Sequence, residues 1–232
     1  MGLLVQTSEQ KRRRRLPPLE NGERVTRSEF EGRYEAMHDI KKAELLGGVV
    51  YMPSPVHFEG HGEPHSLLGT WLGTYRAYTP GVRIGDNASV RLDLDNEPQP
   101  DLLLRLDSVA WRRSHIDEDD YVQGAPELVV EIAGSSKSYD LHTKLPVYRR
   151  NGVQEYIIWQ VYDEKIVWYA LENEQYTQLL PDAQGIARSR VFPGLWLNVN
   201  ALLIDDLAQV LADLNQGIQS EEHIDFMKRL AP

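Results

Sequence analysis

The stretch QPDLLLRLD, residues 99–107, places an aspartate at the head of a strongly apolar strand pattern. A second stretch, PELVVEIAG at residues 126–134, sets Glu131 among aliphatic residues. An ionised carboxylate is costly to remove from water unless it meets a cation. Asp101 and Glu131 on neighbouring strands therefore predict a shared counter-charge, either a buried lysine or arginine or a bound metal ion. A purely structural alternative stays open, in which Asp101 caps its strand and Glu131 pairs with an arginine.

The segments ahead of these strands predict a helix, a hairpin and a second helix. Caps and charges favour a short helix from Thr26 to Met37. AELLGGVVYMPSP, residues 43–55, contains two short strand patterns around a Gly-Gly turn, which is typical of a β-hairpin. Leucine and aromatic residues at helical spacing then predict an amphipathic helix that begins near Pro64 and ends before Pro80.

The rest of the chain continues this mixed pattern. VRIGDNASVRLDL, residues 82–94, alternates apolar and polar residues, as one bulged strand or two strands would. A polar connection over residues 107–124 joins the two apolar strands, and a helix over residues 140–152 closes on Gly152. Two further strands and two helices are predicted at residues 155–161, 165–171, 199–214 and 220–230. This order predicts an α/β (α+β) fold with an αβββαβ core.

The same order divides the chain into four regions. Residues 1–23 are a basic, disordered tail and linker, and residues 24–60 are a helix and β-hairpin extension. Residues 61–199 form the αβββαβ core, and residues 200–232 are C-terminal helices packed on it.

Composition narrows the possible compartments and chemistries. The 232 residues include no cysteine, which excludes disulfides, thiolate metal sites and a cysteine nucleophile, and favours a reducing compartment. The N-terminus places its charges after its short apolar stretch, the reverse of a secretory signal. No window approaches the roughly 20 apolar residues of a membrane span. We therefore expect a cytoplasmic protein that does not enter a membrane.

Charge is distributed unevenly along the chain. Residues 1–15 hold five cations and one acid, so the remaining residues carry 20 cations against 34 acids. This acidic body repels polyanions. The run KRRRR, residues 11–15, can neutralise phosphates, although most such runs are solvated tails. DNA would have to approach through a basic patch formed by this tail and by the segments WRRS and YRRN, residues 111–114 and 148–151.

Four blocks, in this order along the chain, carry a resemblance to a known family. They are the hairpin AELLGGVVYMPSP and the stretches PQPDLLLRLD, GAPELVVEIAGSS and SYDLHTKLPVYRRNGVQEYIIW. Together they resemble the Uma2 family, whose members adopt the PD-(D/E)xK restriction-endonuclease-like fold. The resemblance spans roughly residues 40–200.

The resemblance implies roles for individual residues. Asp101 and Glu131 would bind Mg²⁺ or Mn²⁺, with the backbone carbonyl of Ile132 as a third ligand. In the broader superfamily a lysine lies two residues after the acid, where this chain has Ala133. Uma2-like proteins instead have a lysine on the following helix, which matches Lys144. The implied reaction is hydrolysis of DNA phosphodiester bonds by a metal-bound water, assisted by Lys144.

Pro146 affects where Lys144 points. If Asp140 is the N-cap, the proline removes a hydrogen bond from the helix interior, at a cost of about 3 kcal/mol or more. If Thr143 is the N-cap, the proline lies in the first turn, where its missing donor is harmless, and Lys144 becomes the first helical residue.

Three auxiliary candidates each have a structural alternative. Glu44 has an acidic role at the cleft or is an exposed strand residue. His65 approaches the metal or a phosphate, or is a helix-terminus histidine. Tyr148 shares the helix face of Lys144 or packs in the core. The repeat of His57, His61 and His65 every four residues resembles a zinc-binding face, but the intervening glycines and proline break the helix it needs.

Three functions stay open from the sequence. The first is a metal-dependent DNA endonuclease, and the second is a nuclease-derived binding or assembly module, which the acidic body favours slightly. The third, metal-free glycoside hydrolysis, lacks an aromatic sugar platform. Residues 165–171 and the final helices offer more Trp, Tyr and Leu than one core readily covers, which predicts a homodimer with two sites across one duplex.

Overall fold

The computed structural model describes residues 16–40, 42–52, 55–107, 112–134 and 139–230, so the arginine run of the predicted tail lies outside the described residues. The helices are α1 (Arg27–Tyr34), α2 (Glu63–Ala77), α3 (Leu145–Asn151), α4 (Val199–Leu203), α5 (Leu207–Ile218) and α6 (Glu221–Leu230). None of these described helices is long and apolar enough to cross a membrane. The strands are β1 (Glu44–Leu46), β2 (Val49–Tyr51), β3 (Val82–Asp86), β4 (Val90–Arg91), β5 (Leu102–Leu106), β6 (Ser114–Ile116), β7 (Val122–Gly124), β8 (Leu128–Ala133), β9 (Glu155–Gln160), β10 (Lys165–Glu172), β11 (Gln175–Leu179), β12 (Ile186–Arg188) and β13 (Trp196–Asn198).

A six-stranded mixed sheet with the order β11-β10-β9-β8-β5-β3 forms the centre of the protein. β8 and β9 run parallel, and α3 lies in the crossover between them, as a parallel connection requires. The other neighbouring strands of this sheet are antiparallel. The elements α2, β3, β5, β8, α3 and β9 therefore follow the predicted αβββαβ order.

The register between β5 and β8 brings the two acidic stretches together. Leu102 lies opposite Val130, and the strands are antiparallel. Extending this register by one residue sets Asp101 opposite Glu131. Directly opposed residues of an antiparallel pair project to the same face of a sheet. The two carboxylates therefore share a face.

Strand alternation gives the central sheet two apolar faces. One face is covered by α2, α5 and α6, and its core includes Trp71, which meets Trp168 edge to face at 5.9 Å between ring centroids. The indole N–H of Trp71 donates to the carbonyl of Trp196 at 2.8 Å, so the buried ring has its polar partner. On the opposite face, Tyr148 of α3 packs with Tyr156 of β9.

Several of the apolar residues that led us to predict a dimer, such as Trp168 and Leu214, are buried within the single chain. Trp168 of β10 belongs to the same core as Phe226 and Leu230 of α6. The C-terminal helices therefore complete the core of the single chain, and these buried residues need no second copy to cover them.

The connection between β3 and β8 holds more structure than the sequence predicts. Residues 82–94 form two strands, β3 and β4, which settles the choice left open by the alternation. The polar connection over residues 107–124 contains β6 and β7, which form a three-stranded sheet with β4 in the order β4-β7-β6. These strands have only two or three residues each, too short for a period-two pattern to appear in the sequence.

The C-terminal part also differs from the prediction. The helix expected over residues 199–214 is divided into α4 and α5. Asp205, between them, has a left-handed φ of 60°, and the Asp206 side chain caps α5 by accepting from the main-chain N–H of Gln209. Strands β11, β12 and β13 have no counterpart in the prediction.

The β1–β2 hairpin joins the N-terminal extension to the core. Gly47 and Gly48 form its turn, with left-handed φ values of 59° and 72°. Leu45 exchanges main-chain hydrogen bonds with Glu97, at 2.7 Å and 3.1 Å. Its side chain packs with Phe30 of α1. This docking brings the residues at the start of the hairpin to the site where β5 begins.

Substitution of two helix glycines, one in α5 and one in α2, should change the free energy of unfolding in opposite directions. A methyl group at Gly217 of α5 would clash with the carbonyl oxygen of Gly194 and lie 2.8 Å from the Trp196 ring. Gly217→Ala should therefore lower the free energy of unfolding by about 1–3 kcal/mol. At Gly73 of α2 a methyl group meets nothing within 4 Å, so Gly73→Ala should raise it by about 1 kcal/mol through helix propensity. Urea denaturation measures both changes, and a Gly217→Ala protein as stable as the wild type would contradict the packing of α5.

Candidate active site

Asp101 stands immediately before β5 with its carboxylate buried. Its Oδ2 accepts the main-chain N–H of Ile132 at 2.8 Å, a bond that crosses from β5 to β8 and fixes the carboxylate. Its Oδ1 lies 3.1 Å from Nζ of Lys42 and 3.2 Å from Nε2 of His61. One oxygen is therefore bound by the main chain and the other faces two basic side chains.

These partners keep Asp101 ionised. Burial by itself raises the pKa of Asp101, but the hydrogen bond with His61 and the charge of Lys42 outweigh it and hold that pKa well below its ordinary value. Burial lowers the pKa of Lys42, yet the charges of Asp101 and Glu44 raise it overall. A carboxylate and an ammonium therefore face each other at neutral pH.

Glu131, in the middle of β8, meets a second ammonium. Its Oε1 lies 2.8 Å from Nζ of Lys144 and accepts the hydroxyl of Tyr148 at 2.8 Å. The same ammonium lies 2.9 Å from Oε1 of Glu44, an oxygen that also accepts the main-chain N–H of Gln99 at 2.7 Å. Lys144 therefore joins the strand carboxylate to the hairpin carboxylate.

The local geometry before α3 aims Lys144 at the sheet. Pro146 is the second residue of α3, but Thr143, the later of the two predicted N-caps, lies inside the helical turn that precedes this helix. The preceding residues are not an extended cap, because Asp140–Lys144 wind as a π-helical turn that continues into α3. Lys144 and Tyr148, four residues apart, consequently reach the same oxygen of Glu131.

Tyr139 closes the cluster above Lys144. Nζ of Lys144 lies 5.4 Å from the centre of the Tyr139 ring, a cation–π distance, and this ring lies 4.5 Å from the ring of Tyr51 in β2. The Tyr139 hydroxyl lies 3.5 Å from Oε2 of Glu44. Burial and then the charge of Glu44 raise the pKa of Tyr139, so the phenol stays protonated at neutral pH.

Two histidines flank Asp101 on the side of α2. Phe58–Gly62 form a π-helical turn that leads into α2, and the rings of His61 and His65 stack at 5.7 Å. Nε2 of His65 lies 3.1 Å from the main-chain carbonyl oxygen of Asp101 and 3.5 Å from Oδ1 of Asp86. His61 therefore contacts the Asp101 carboxylate, and His65 contacts its backbone.

Two other buried acids of the sheet region, Glu127 before β8 and Glu155 in β9, are satisfied in a different way. Glu127 accepts two main-chain N–H groups, at 2.8 Å and 3.0 Å. Glu155 accepts the hydroxyl of Ser189 at 2.8 Å and the indole N–H of Trp168 at 3.2 Å, and burial raises the pKa of Glu155 to about 7 despite these donors. Asp101 and Glu131 instead face ammonium groups, which distinguishes their cluster from structural acids of the sheet.

The structure brings together the residues that the sequence singled out. Asp101, Glu131 and Lys144 lie in one cluster, with Glu44 and Tyr148 in direct contact with it. His65 lies at its edge. Whether these residues take part in catalysis stays a prediction.

Ile132 and two residues outside the predicted set complete the cluster. The N–H of Ile132 binds Asp101, and its carbonyl, the predicted third metal ligand, accepts the N–H of Gly134 at 3.2 Å. Sequence reasoning missed Lys42, because it is distant in sequence from Asp101 and no spacing rule links them. The four-residue repeat of the histidines was the only sequence signal for His61.

The cluster contains the types of ligand that a hard divalent cation prefers. Carboxylates and main-chain carbonyls are the ligands that Mg²⁺ and Mn²⁺ prefer. Among the described residues, three carboxylates, of Glu44, Asp101 and Glu131, face the ammoniums of Lys42 and Lys144. The same described residues contain no group of three histidine or acidic side chains already arranged to hold a metal ion. A metal at Asp101 would therefore have to compete with an ammonium.

Comparison with known proteins agrees with this fold. The sequence matches the family described as "Uma2: Putative restriction endonuclease" over residues 27–200. The chain belongs to the Uma2 family. Its structure is similar to that of a protein from Anabaena variabilis ATCC 29413, reported as "a putative nuclease belonging to DUF820", with a TM-score of 0.59 and 16% sequence identity. The similarity covers 79% of this chain and 99% of the other, and at that identity it shows the fold alone. No curated protein matches the chain.

The ion pairs of this Uma2 protein can be tested through its stability. Lys144→Met leaves Glu44 and Glu131 buried without their shared ammonium, so it should lower the free energy of unfolding by about 3–5 kcal/mol. Adding Glu44→Gln removes one of the two charges and should recover part of the loss. Urea denaturation at neutral pH, without divalent ions, measures both variants.

Lys228→Met is the matched control, because Lys228 pairs with Asp225 on the exposed surface of α6. Its effect should stay within about 0.5 kcal/mol. A Lys144→Met protein that loses no more than this control would contradict the buried ion pairs.

Proposed function

We propose that this Uma2 protein is a metal-dependent endonuclease that hydrolyses phosphodiester bonds of DNA, with Asp101, Glu131 and Lys144 as its catalytic residues. The observation that carries the proposal is the buried cluster in which two carboxylates on adjacent strands meet lysine ammoniums. The family description and the nuclease-like fold support the reaction class.

Asp101, Glu131 and the carbonyl of Ile132 would bind Mg²⁺ or Mn²⁺. When bound, such an ion lowers the pKa of a coordinated water and neutralises charge that develops on the phosphate. Asp101 suits this role because its depressed pKa keeps it ionised at neutral pH. The N–H of Ile132 holds one oxygen of Asp101, so the carboxylate is oriented before any ion arrives.

Lys144 would act on both the acid and the phosphate. Its contact with Glu131 holds that carboxylate in place, and its positive charge would stabilise the charge on a phosphate oxygen in the transition state. Tyr148 would position the same Glu131 oxygen through its hydroxyl. Glu44 would hold Lys144 from the hairpin side. These two are positioning residues in the proposal.

A groove of about 460 Å³ lies between α2 and the edge strand β3, and in the proposal it would give DNA a route to this site. It is lined by His65 and Thr70 of α2, by Asp86 and Ile84 of β3, and by Leu102, the residue after Asp101. In the proposal His65, which contacts the carbonyl of Asp101, would meet the substrate at the rim of this groove.

DNA would need a local basic surface, because the body of the protein is acidic. Arg149 and Arg150 lie at the end of α3, and the guanidinium of Arg113 lies beside Gly152 just after this helix. Arg149 and Arg150 follow Lys144 by five and six residues, or roughly 8–9 Å at the rise of an α-helix. The proposal takes them as phosphate contacts beside the catalytic cluster.

A binding or assembly module without turnover is the second candidate. One observation favours it. Asp101 and Glu131 already have the ammonium groups of Lys42 and Lys144 as partners, so their charges are neutralised without a metal ion. The two candidates differ in one property, which is cleavage.

Cleavage of DNA is the experiment that separates these two functions. Supercoiled and linear DNA are incubated with the purified protein in Mg²⁺, Mn²⁺ or EDTA. We expect cutting with either ion and none in EDTA. Asp101→Asn should reduce the rate at least about a hundredfold, because it removes a charged ligand while keeping an acceptor for the N–H of Ile132. Gel electrophoresis of the products measures the rate.

The Asp225→Asn protein is the control, because Asp225 lies on the exposed surface of α6. This variant should cut DNA at the wild-type rate. Wild-type cutting that persists in EDTA would overturn the metal-dependent reaction. A folded protein that cuts no DNA with either ion would favour the binding module.

The proposal also includes cytoplasmic location and a homodimer, in which two sites would act on one duplex. The absence of cysteine from the sequence supports a reducing compartment. Trp168 and Phe226 give this dimer no support, because they are buried in the single chain. Light scattering that gives a mass near 26.6 kDa, the mass of one chain, would exclude the dimer.

A further inference from the structure

Lys42 holds an unusual place in the proposed active site. It precedes β1, on the N-terminal extension, yet its Nζ lies 3.1 Å from Oδ1 of Asp101. The superfamily position for a lysine on β8 is filled by Ala133, which is buried. The ammonium that faces Asp101 therefore comes from outside the core strands.

The ammonium of Lys42 lies on the oxygen of Asp101 that a cation would take. Oδ2 of Asp101 is bound by the main-chain N–H of Ile132, and Oδ1 faces Lys42 and His61. A divalent ion that binds Oδ1 would lie close to the ammonium, and two cations at one carboxylate oxygen repel each other. Metal binding at Asp101 and the Lys42 contact therefore oppose each other.

Lys42 can leave this oxygen more easily than Lys144 can leave Glu131. The Lys42 side chain is 21% exposed, whereas that of Lys144 is 3% exposed and contacts two carboxylates. Lys42 also has a second acceptor at the surface, because its Nζ lies 3.4 Å from Oδ1 of the exposed Asn87. A flexible four-carbon stem lets the ammonium move toward Asn87 and solvent.

We propose that Lys42 is the resident counter-cation of Asp101: it neutralises this carboxylate in the metal-free protein and withdraws to the rim when a divalent ion binds. The inference rests on the proposed function, because it takes Asp101 as a metal ligand. It adds to that function a competition between the Lys42 ammonium and the divalent ion for Asp101, which sets the affinity for the ion. At the rim, the same ammonium would be free to contact a phosphate of the substrate.

Binding of Mn²⁺ measures this competition without any need for turnover. Isothermal titration calorimetry compares the wild type with Lys42→Met and Lys42→Arg. Lys42→Met should bind Mn²⁺ about tenfold more tightly, the scale expected when one charged hydrogen bond no longer has to be broken. Lys42→Arg keeps the charge and should stay near the wild type. Lys228→Met, which removes an exposed lysine, should leave the affinity unchanged.

The outcomes separate this inference from the proposed function. If the wild type binds Mn²⁺ and Asp101→Asn does not, while Lys42→Met binds no more tightly, the competition is overturned and the metal site stands. If neither the wild type nor Lys42→Met binds Mn²⁺ at millimolar concentration, the metal site itself fails. The competition is supported if Lys42→Met binds Mn²⁺ more tightly than the wild type while Lys42→Arg and Lys228→Met do not.

Lysine acetylation of the wild type gives a second measurement that requires no variant. The protein is treated with an amine-reactive acetylating reagent with and without Mn²⁺, and modified peptides are quantified by mass spectrometry. Release from Asp101 should raise the modification of Lys42 several-fold when Mn²⁺ is present. Lys228, on the exposed surface, is the internal reference and should not change. Equal modification of Lys42 in both conditions would contradict its withdrawal.

Discussion

The structure around the proposed active site depends on one constraint, which is the neutralisation of two buried carboxylates. Asp101 stands at the start of one apolar strand and Glu131 lies within another, so their charges must be balanced inside the protein. The register of β5 against β8 sets Asp101 opposite Glu131, where two negative charges share one face. β8 supplies no cation, because the residue two places after Glu131 is Ala133, and Arg105 of β5 binds Asp107 and Ser114 instead. The ammoniums come instead from Lys144, which directly precedes α3, and from Lys42, two residues before β1. The fold therefore has to bring four separate parts of the chain to one point.

This constraint gives the N-terminal extension a role beyond its own packing. The hairpin is held to the core by the main-chain bonds between Leu45 and Glu97. Lys42 and Glu44 consequently reach across to Asp101 and Lys144, respectively. A description of the site from the αβββαβ core alone would lack one cation and one acid. The region that sequence analysis separated as an extension supplies part of the cluster.

Elements with long periodic patterns could be predicted from the sequence, and long-range pairings could not. The leucine and aromatic spacing of α2 and the apolar stretches of β5 and β8 are local signals. The choice of Lys144 followed from the family resemblance, whereas the π-helical turn that holds Thr143 and Lys144 was not predicted by the proline rule. Lys42 carries no such signal, because its contact depends on tertiary docking. β6 and β7 were missed because three-residue strands show no period. The burial of Trp168 in β10 and Leu230 in α6 was not predicted, because their partners in the core were unknown.

The central claim is that Asp101 and Glu131 are ligands of a divalent ion, and that the ammonium of Lys42 competes with this ion for Oδ1 of Asp101. A crystal structure of the protein with Mn²⁺, analysed by anomalous scattering, tests it most directly. The account predicts a manganese peak in contact with both carboxylates, with Nζ of Lys42 turned toward Asn87 or solvent. A structure at high Mn²⁺ concentration that shows no peak at Asp101, and in which the contact between Lys42 and Asp101 remains at its metal-free distance of 3.1 Å, would contradict it.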